Sequence, residues 1–106
     1  MLVQVNAGNG VQVQNDVAAR IEDGIKAALE RFADEVRRVD VHLSDENRDK
    51  GGEDDKRCMM EALIAGHGRI AVTSFAGDLP LAIDGATGKL ERAIGHELGR
   101  LRAGQR

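Results

Sequence analysis

The sequence predicts an α+β fold of two layers, a four-stranded mixed sheet with two helices on one face, in the order β-α-β-β-β-α. Three observations carry the prediction. Two long stretches, 15–36 and 79–101, repeat apolar residues at helical spacing. Shorter stretches alternate apolar and polar residues with the period of a half-buried strand. Turn residues and one charged cluster separate them.

Leu2 to Val5 alternates and reads as the first strand, and Asn6 to Gly10 (NAGNG) is turn chemistry. Asn15 is placed to cap the first helix. Val17, Ile21, Ile25, Ala28, Leu29, Phe32 and Val36 then fall on one helical face, with charges on the rest. From Arg38 to Leu43 the period returns to two: Val39, Val41 and Leu43 face one way, Asp40 and His42 the other. A charged loop, 44–56, leads to a strand from Arg57 to Ile64 with Cys58, Met60, Ala62 and Ile64 on one face. Gly66-His67-Gly68 is a tight connection into a fourth strand, Arg69 to Phe75. Asp78 caps the second helix, and Pro80 sits in its first turn, where a missing N–H costs nothing. Leu79, Ile83, Ala86, Leu90, Ile94, Leu98 and Leu101 form its apolar stripe. The first two strands are joined by a helical crossover, which requires them to be parallel; the other neighbours are antiparallel. At 106 residues, without repeat or linker, the expectation is one domain over 1–106.

Composition removes several function classes. Phe32 and Phe75 are the sole aromatics, so the usual stacking platform for single-stranded nucleic acid is missing. The net charge of −3 is not that of a bulk nucleic-acid binder. Its distribution is uneven: five bases oppose three acids from Leu79 onward, whereas six acids oppose four bases from Ser44 to Arg57. One cysteine, Cys58, excludes an internal disulfide and fits a reducing compartment. No signal pattern opens the chain and no apolar run spans a membrane, so the cytoplasm is expected.

Candidate chemistry fails on spacing. Asp45, Asn47 and Asp49 match the start of a calcium loop, but the sixth position is Lys50 and the twelfth is Lys56. The histidines and Cys58 match no zinc pattern, and Cys58 reads as a core residue. His67 reads as an exposed turn residue. Ser44 and Ser74 lack a nucleophile context, and Gly51-Gly52 lead into no helix that would cradle phosphate. Asp40, His42 and Glu61 read as cross-strand surface pairs. No enzyme, cofactor, metal or small-molecule substrate is expected.

One surface pattern stands out. Lys89, Arg92, His96 and Arg100 are spaced +3, +4, +4 in the second helix and share an arc of ~80° that no acid enters. A basic ridge of this kind could track a phosphate backbone. Equally, it could be a solvated face with basic residues favoured near a helix C-terminus. Arg102 follows it. Arg20, Arg31 and Arg38 lie near one line of the first helical stretch, beside Asp23, Glu30 and Asp34. Gly85, Gly88, Gly95 and Gly99 fall mostly on the outward face of the second helix. They either admit a close backbone or are tolerated on a helix held by its buried side.

Three stretches resemble a known family: RVDVHLSDEN (38–47), DKRCMMEA (55–62) and DLPLAIDGATGKLERAI (78–94). Together with the element order, they are similar to the ribosome hibernation-promoting and ribosome-associated inhibitor family, in its short form. The resemblance implies a double-stranded-RNA-binding-like fold. It also implies binding to the small ribosomal subunit near the decoding centre, with basic residues of both helices on ribosomal RNA, which blocks tRNA and messenger RNA in idle ribosomes. Carried onto this chain, the RNA-contacting residues are Lys89, Arg92, His96, Arg100 and Arg102, supported by Arg20 and Arg31. The family's dense late basic run is thinner here, Gly95-His96-Glu97-Leu98-Gly99-Arg100, and Pro80 replaces a common tyrosine. The dimerisation module of long members does not follow Arg106. The competing expectation is a protein-interaction or scaffold relative that keeps the fold, leaves the ribosome and uses the acidic loop or an edge strand.

Overall fold

The computed structural model describes residues 1–46 and 54–104, with side chains through Leu101. Its elements are β1 (Leu2–Ala7), α1 (Asn15–Ala28), a 3₁₀ turn η1 (Glu30–Phe32), β2 (Val36–Asp45), β3 (Lys56–Ile64), β4 (Gly68–Ala76) and α2 (Leu79–Gly104). The sheet order is β1-β2-β3-β4. β1 is parallel to β2, while β2–β3 and β3–β4 are antiparallel. This is the predicted α+β architecture.

The first helix is shorter than its apolar spacing suggests. It stops at Ala28, and Leu29 leaves helical geometry with φ −103° and ψ 14°. The chain then tightens into 3₁₀ bonds: the Phe32 N–H donates to the Leu29 carbonyl and that of Glu35 to Phe32. Val36 belongs to β2, not to the helix, and pairs with Ile64. Phe32 and Val36 keep the helical spacing because turn and strand entry still run over the core, and apolar periodicity cannot separate these cases. Asn15 is the first helical residue rather than the cap; Gln14 holds the cap position without a side-chain hydrogen bond.

The core lies between the sheet and the helices. Val39, Val41 and Leu43 of β2 and Cys58, Met60, Ala62 and Ile64 of β3 are buried beneath Ile25, Leu29 and Phe32 and the α2 residues Ala82, Ala86, Leu90, Ile94 and Leu98. Every second residue from Val39 to Leu43 and from Cys58 to Ile64 points inward, and a register shift between Val36 and Arg38 keeps Val36 buried as well. Ala82 is a core residue that the sequence stripe omitted. In the β3–β4 turn, Gly66 and Gly68 sit at φ 76° and 85°, a backbone region where a side chain is strained. His67 between them is exposed, as expected, and its N–H donates to the Ile64 carbonyl.

Two local devices fix the ends of elements. The Leu81 N–H donates to Asp78 Oδ1 at 2.8 Å, so Asp78 caps α2 as predicted. Asp78→Ala is expected to cost about 1 kcal/mol, read as a fall of several degrees in melting temperature. At the base of the charged loop, Lys56 Nζ bridges Asp45 at 3.3 Å and Asp55 at 3.1 Å, and the Glu46 N–H donates to the Asp55 carbonyl. The Asp55 hydrogen bond is the main influence that holds the Lys56 ammonium above its usual pKa. Asn47, Asp49, Lys50, Gly51 and Gly52, which entered the calcium and phosphate readings, lie outside the described residues. No group of three metal-ligating side chains occurs among the described residues. Among them no helix is long and apolar enough to cross a membrane.

Candidate nucleic-acid interface

The sheet has one covered face and one open face. On the open face Asp40 lies opposite Glu61 and His42 opposite Met59. Asp40 takes a bridge from Arg38 at 2.9 Å, and Glu61 takes one from Arg69 at 2.6 Å. The Arg38 hydrogen bond holds the Asp40 carboxyl below the usual carboxylate range. The expected cross-strand pairing of Asp40 and Glu61 with His42 is therefore corrected: each carboxylate is paired with an arginine, Asp40 with Arg38 of its own strand and Glu61 with Arg69 of β4, and Arg38 does not join Arg20 and Arg31 on a helical line. The chain has left the helix well before residue 38.

The helical side differs. Lys89, Arg92, His96 and Arg100 are all exposed on α2, as are Arg20 on α1 and Arg31 in η1. They do not act as one uniform ridge. The Lys89 ammonium donates to the Thr73 carbonyl at 2.8 Å and so reaches across to β4, an edge strand of the sheet. A lysine laid on an edge strand also discourages pairing with another chain. Arg100 is bound by Glu97 at 2.6 Å, one turn earlier. The expectation of an arc without acids is therefore corrected. Glu97 starts outside the arc, but an i,i+3 pair lets its side chain lean into it. The same contact holds the Glu97 carboxyl below its usual pKa, with His96 and His67 adding to the effect. Arg102 lies beyond the residues whose side chains are described.

Arg20, Arg31 and Arg92 carry no ion pair among the described residues. Arg31 lies with its guanidinium carbon 4.3 Å from the centre of the Phe32 ring, a cation–π arrangement. Its Nη2 also lies beside Gly95 of α2. The structure therefore brings Arg31, expected on the first helix, onto the flank of α2 from the 3₁₀ turn that replaces the end of that helix. Arg20 is placed elsewhere. It lines a groove of about 630 Å³ between α1 and the first half of α2, whose other lining residues include Val17, Ile21, Ile83 and, on the α2 side, Asp84. The arrangement leaves these cations exposed on the helical side. Cys58, the one thiol, is fully buried.

Residues 4–102 match the family described as sigma 54 modulation protein / S30EA ribosomal protein. The chain belongs to this family. Its fold is shared with solved structures. The N-terminal domain of Protein Y from Thermus thermophilus superposes with a TM-score of 0.69 at 24% identity, covering 89% of this chain and 96% of that one. A ribosomal subunit interface protein from Coxiella burnetii gives a TM-score of 0.69 at 17% identity, covering 93% of this chain and 99% of its own. No curated protein matches significantly. At these identities the structural neighbours speak to the fold alone. The S30EA match covers almost the whole chain and makes this a member of a ribosome-associated family.

Proposed function

We propose that this S30EA family member is a non-enzymatic factor that binds the small ribosomal subunit and holds ribosomes inactive under stress or in stationary phase. Ribosomal RNA is its partner and the cytoplasm its compartment. Contact is through the helical side, with Lys89, Arg92, His96, Arg100 and Arg102 of α2 and with Arg20 and Arg31. The observation that carries the reading is the family match over residues 4–102. It is supported by exposed cations on the helical side, where Arg20, Arg31 and Arg92 have no acidic partner among the described residues. The acidic net charge is compatible with it because the open sheet face and the loop base pair their charges internally. Each phosphate that these cations neutralise releases counterions, so binding through several of them is salt-sensitive.

Co-sedimentation with small subunits tests this. Wild type is expected to pellet with them at ~50 mM salt and to be released by ~200 mM. Lys89→Glu/Arg92→Glu is expected to be released already at the lower salt. Absence of wild-type binding at low salt would rule the reading out. The scaffold alternative makes the opposite prediction: the double reversal keeps its partner, and deletion of residues 49–55 loses it.

A further inference from the structure

Gly85, Gly88, Gly95 and Gly99 of α2, which sequence alone leaves equivalent, have different surroundings. Gly85 faces the sheet: an added β-carbon would lie 2.3 Å from Ser74 Oγ. Gly99 faces open space, with nothing within 4 Å. Gly88 and Gly95 face guanidinium groups. A β-carbon on Gly88 would lie 3.3 Å from Arg92 Nη1, and one on Gly95 would lie 3.3 Å from Arg31 Nη2. Each of these two glycines is thus a notch on the helix surface with an arginine laid into it.

The two notches belong together. Seven residues are almost two helical turns, so Gly88 and Gly95 share one side of α2 at a spacing of ~10 Å along the axis. One guanidinium comes from α2 itself, the other from η1 across the fold. Arg31 is additionally held by the Phe32 ring, and Phe32 is a core residue. Neither arginine is taken by a carboxylate among the described residues, whereas Arg100, farther along the same helix, is taken by Glu97. An interior helix glycine is unfavourable relative to alanine. The core demands the missing methyl at Gly85. At Gly88 and Gly95 the closest group that a methyl would crowd is an arginine, with Phe32 Cζ next at 3.4 Å beside Gly95.

The geometry points to Gly88 and Gly95 as positioning residues that seat Arg92 and Arg31 as a two-pronged clamp on the phosphodiester backbone of RNA. The inference rests on the RNA-binding reading above and deepens it. A guanidinium offers paired N–H donors to phosphate oxygens. Two of them at a set spacing suit a polymer whose phosphates repeat. A side chain already seated loses less freedom when it binds. With a methyl in the notch, the guanidinium must shift by a few tenths of an ångström from the position in which it is seated.

The test measures small-subunit binding and melting temperature for Gly88→Ala, Gly95→Ala and Gly99→Ala. Gly88→Ala and Gly95→Ala are expected to weaken binding roughly three- to tenfold each, with the melting temperature unchanged or raised. A purely structural role would not separate these two readouts. Gly99→Ala is expected to leave binding unchanged. The coupling is decisive: in an Arg92→Ala background Gly88→Ala is expected to have no further effect, and in Arg31→Ala the same holds for Gly95→Ala. Wild-type affinity in both glycine variants would overturn the inference, as would an undiminished Gly88→Ala effect without Arg92. Equal weakening by Gly99→Ala would overturn it too, since RNA would then approach the glycine line itself. If wild type binds and the arginine variants weaken it while the glycine variants do not, the clamp fails and the RNA reading stands. If wild type does not bind at low salt, both fail.

Discussion

Between pH ~8 and pH ~11 the protein is expected to lose about 3 kcal/mol of stability through one thiol. Cys58 lies on β3 with no exposed surface, and burial pushes its pKa from 9.0 up to about 12, against the opposing charge of nearby Arg57. In the unfolded chain the thiol ionises near its ordinary value; in the folded chain it stays protonated for about three further pH units. Above pH ~9 the unfolded state therefore binds fewer protons than the folded state, and stability falls as pH rises. Below that point the contribution is fully present. Urea unfolding of wild type and Cys58→Ala across this range checks it. The wild-type midpoint is expected to fall more steeply than that of the variant, although the variant starts lower because it leaves a small void. Lysine titration is common to both chains, and no tyrosine adds a phenol step. Parallel curves would sink the prediction. The same burial is expected to make alkylation of the native thiol very slow.

Gly85→Ala is expected to destabilise the protein by about 1–3 kcal/mol, opposite in sign to the usual gain from replacing a helix glycine. The new methyl would lie 2.3 Å from Ser74 Oγ and 3.3 Å from Ser74 Cβ. Rotation of the hydroxyl relieves the first contact but not the second, and Ser74 is buried on β4. α2 would have to lift from the sheet where it packs against β4. A double-mutant cycle separates this from a general helix effect. Ser74→Gly removes both contacting atoms, so Ser74→Gly/Gly85→Ala is expected to be more stable than the sum of the single changes. Chemical denaturation gives the four free energies. A stabilised Gly85→Ala single variant would show that the helix does not approach β4 this closely.

Much of the fold was legible because burial imposes simple periods. Val39, Val41 and Leu43, like Cys58, Met60, Ala62 and Ile64, alternate because a strand with one covered face must alternate. Asp78 and Pro80 mark the start of α2 because an unpaired helix terminus needs an acceptor side chain and tolerates a missing N–H. The end of α1 was not legible. Phe32 and Val36 stay on the helical period although one lies in a 3₁₀ turn and the other in a strand, since all three states keep them over the same core. Ala82 was overlooked because alanine carries little hydrophobic signal, yet it is fully buried where α2 meets the sheet.

The candidate interface was legible in its residue types and less so in its geometry. The spacing of Lys89, Arg92, His96 and Arg100 correctly predicts exposure on one helix. It does not reveal that Lys89 reaches the Thr73 carbonyl or that Glu97 claims Arg100. Those outcomes depend on the edge strand beside α2 and on side-chain reach, neither of which is written in the spacing. Arg31 joins α2 solely because η1 folds back over the sheet and sets Phe32 against Gly95.

By itself, then, the sequence determined the elements, their order, the buried faces and the family, since each follows from local period, capping chemistry or a contiguous stretch of residues. The tertiary structure alone decided which of four similar glycines packs against the sheet, which two seat an arginine and which is free. It also decided which cations remain unpaired. The physical reason is the same in each case: these properties belong to atoms from distant parts of the chain, and a distance between them exists only once the core has brought the helices and the sheet together.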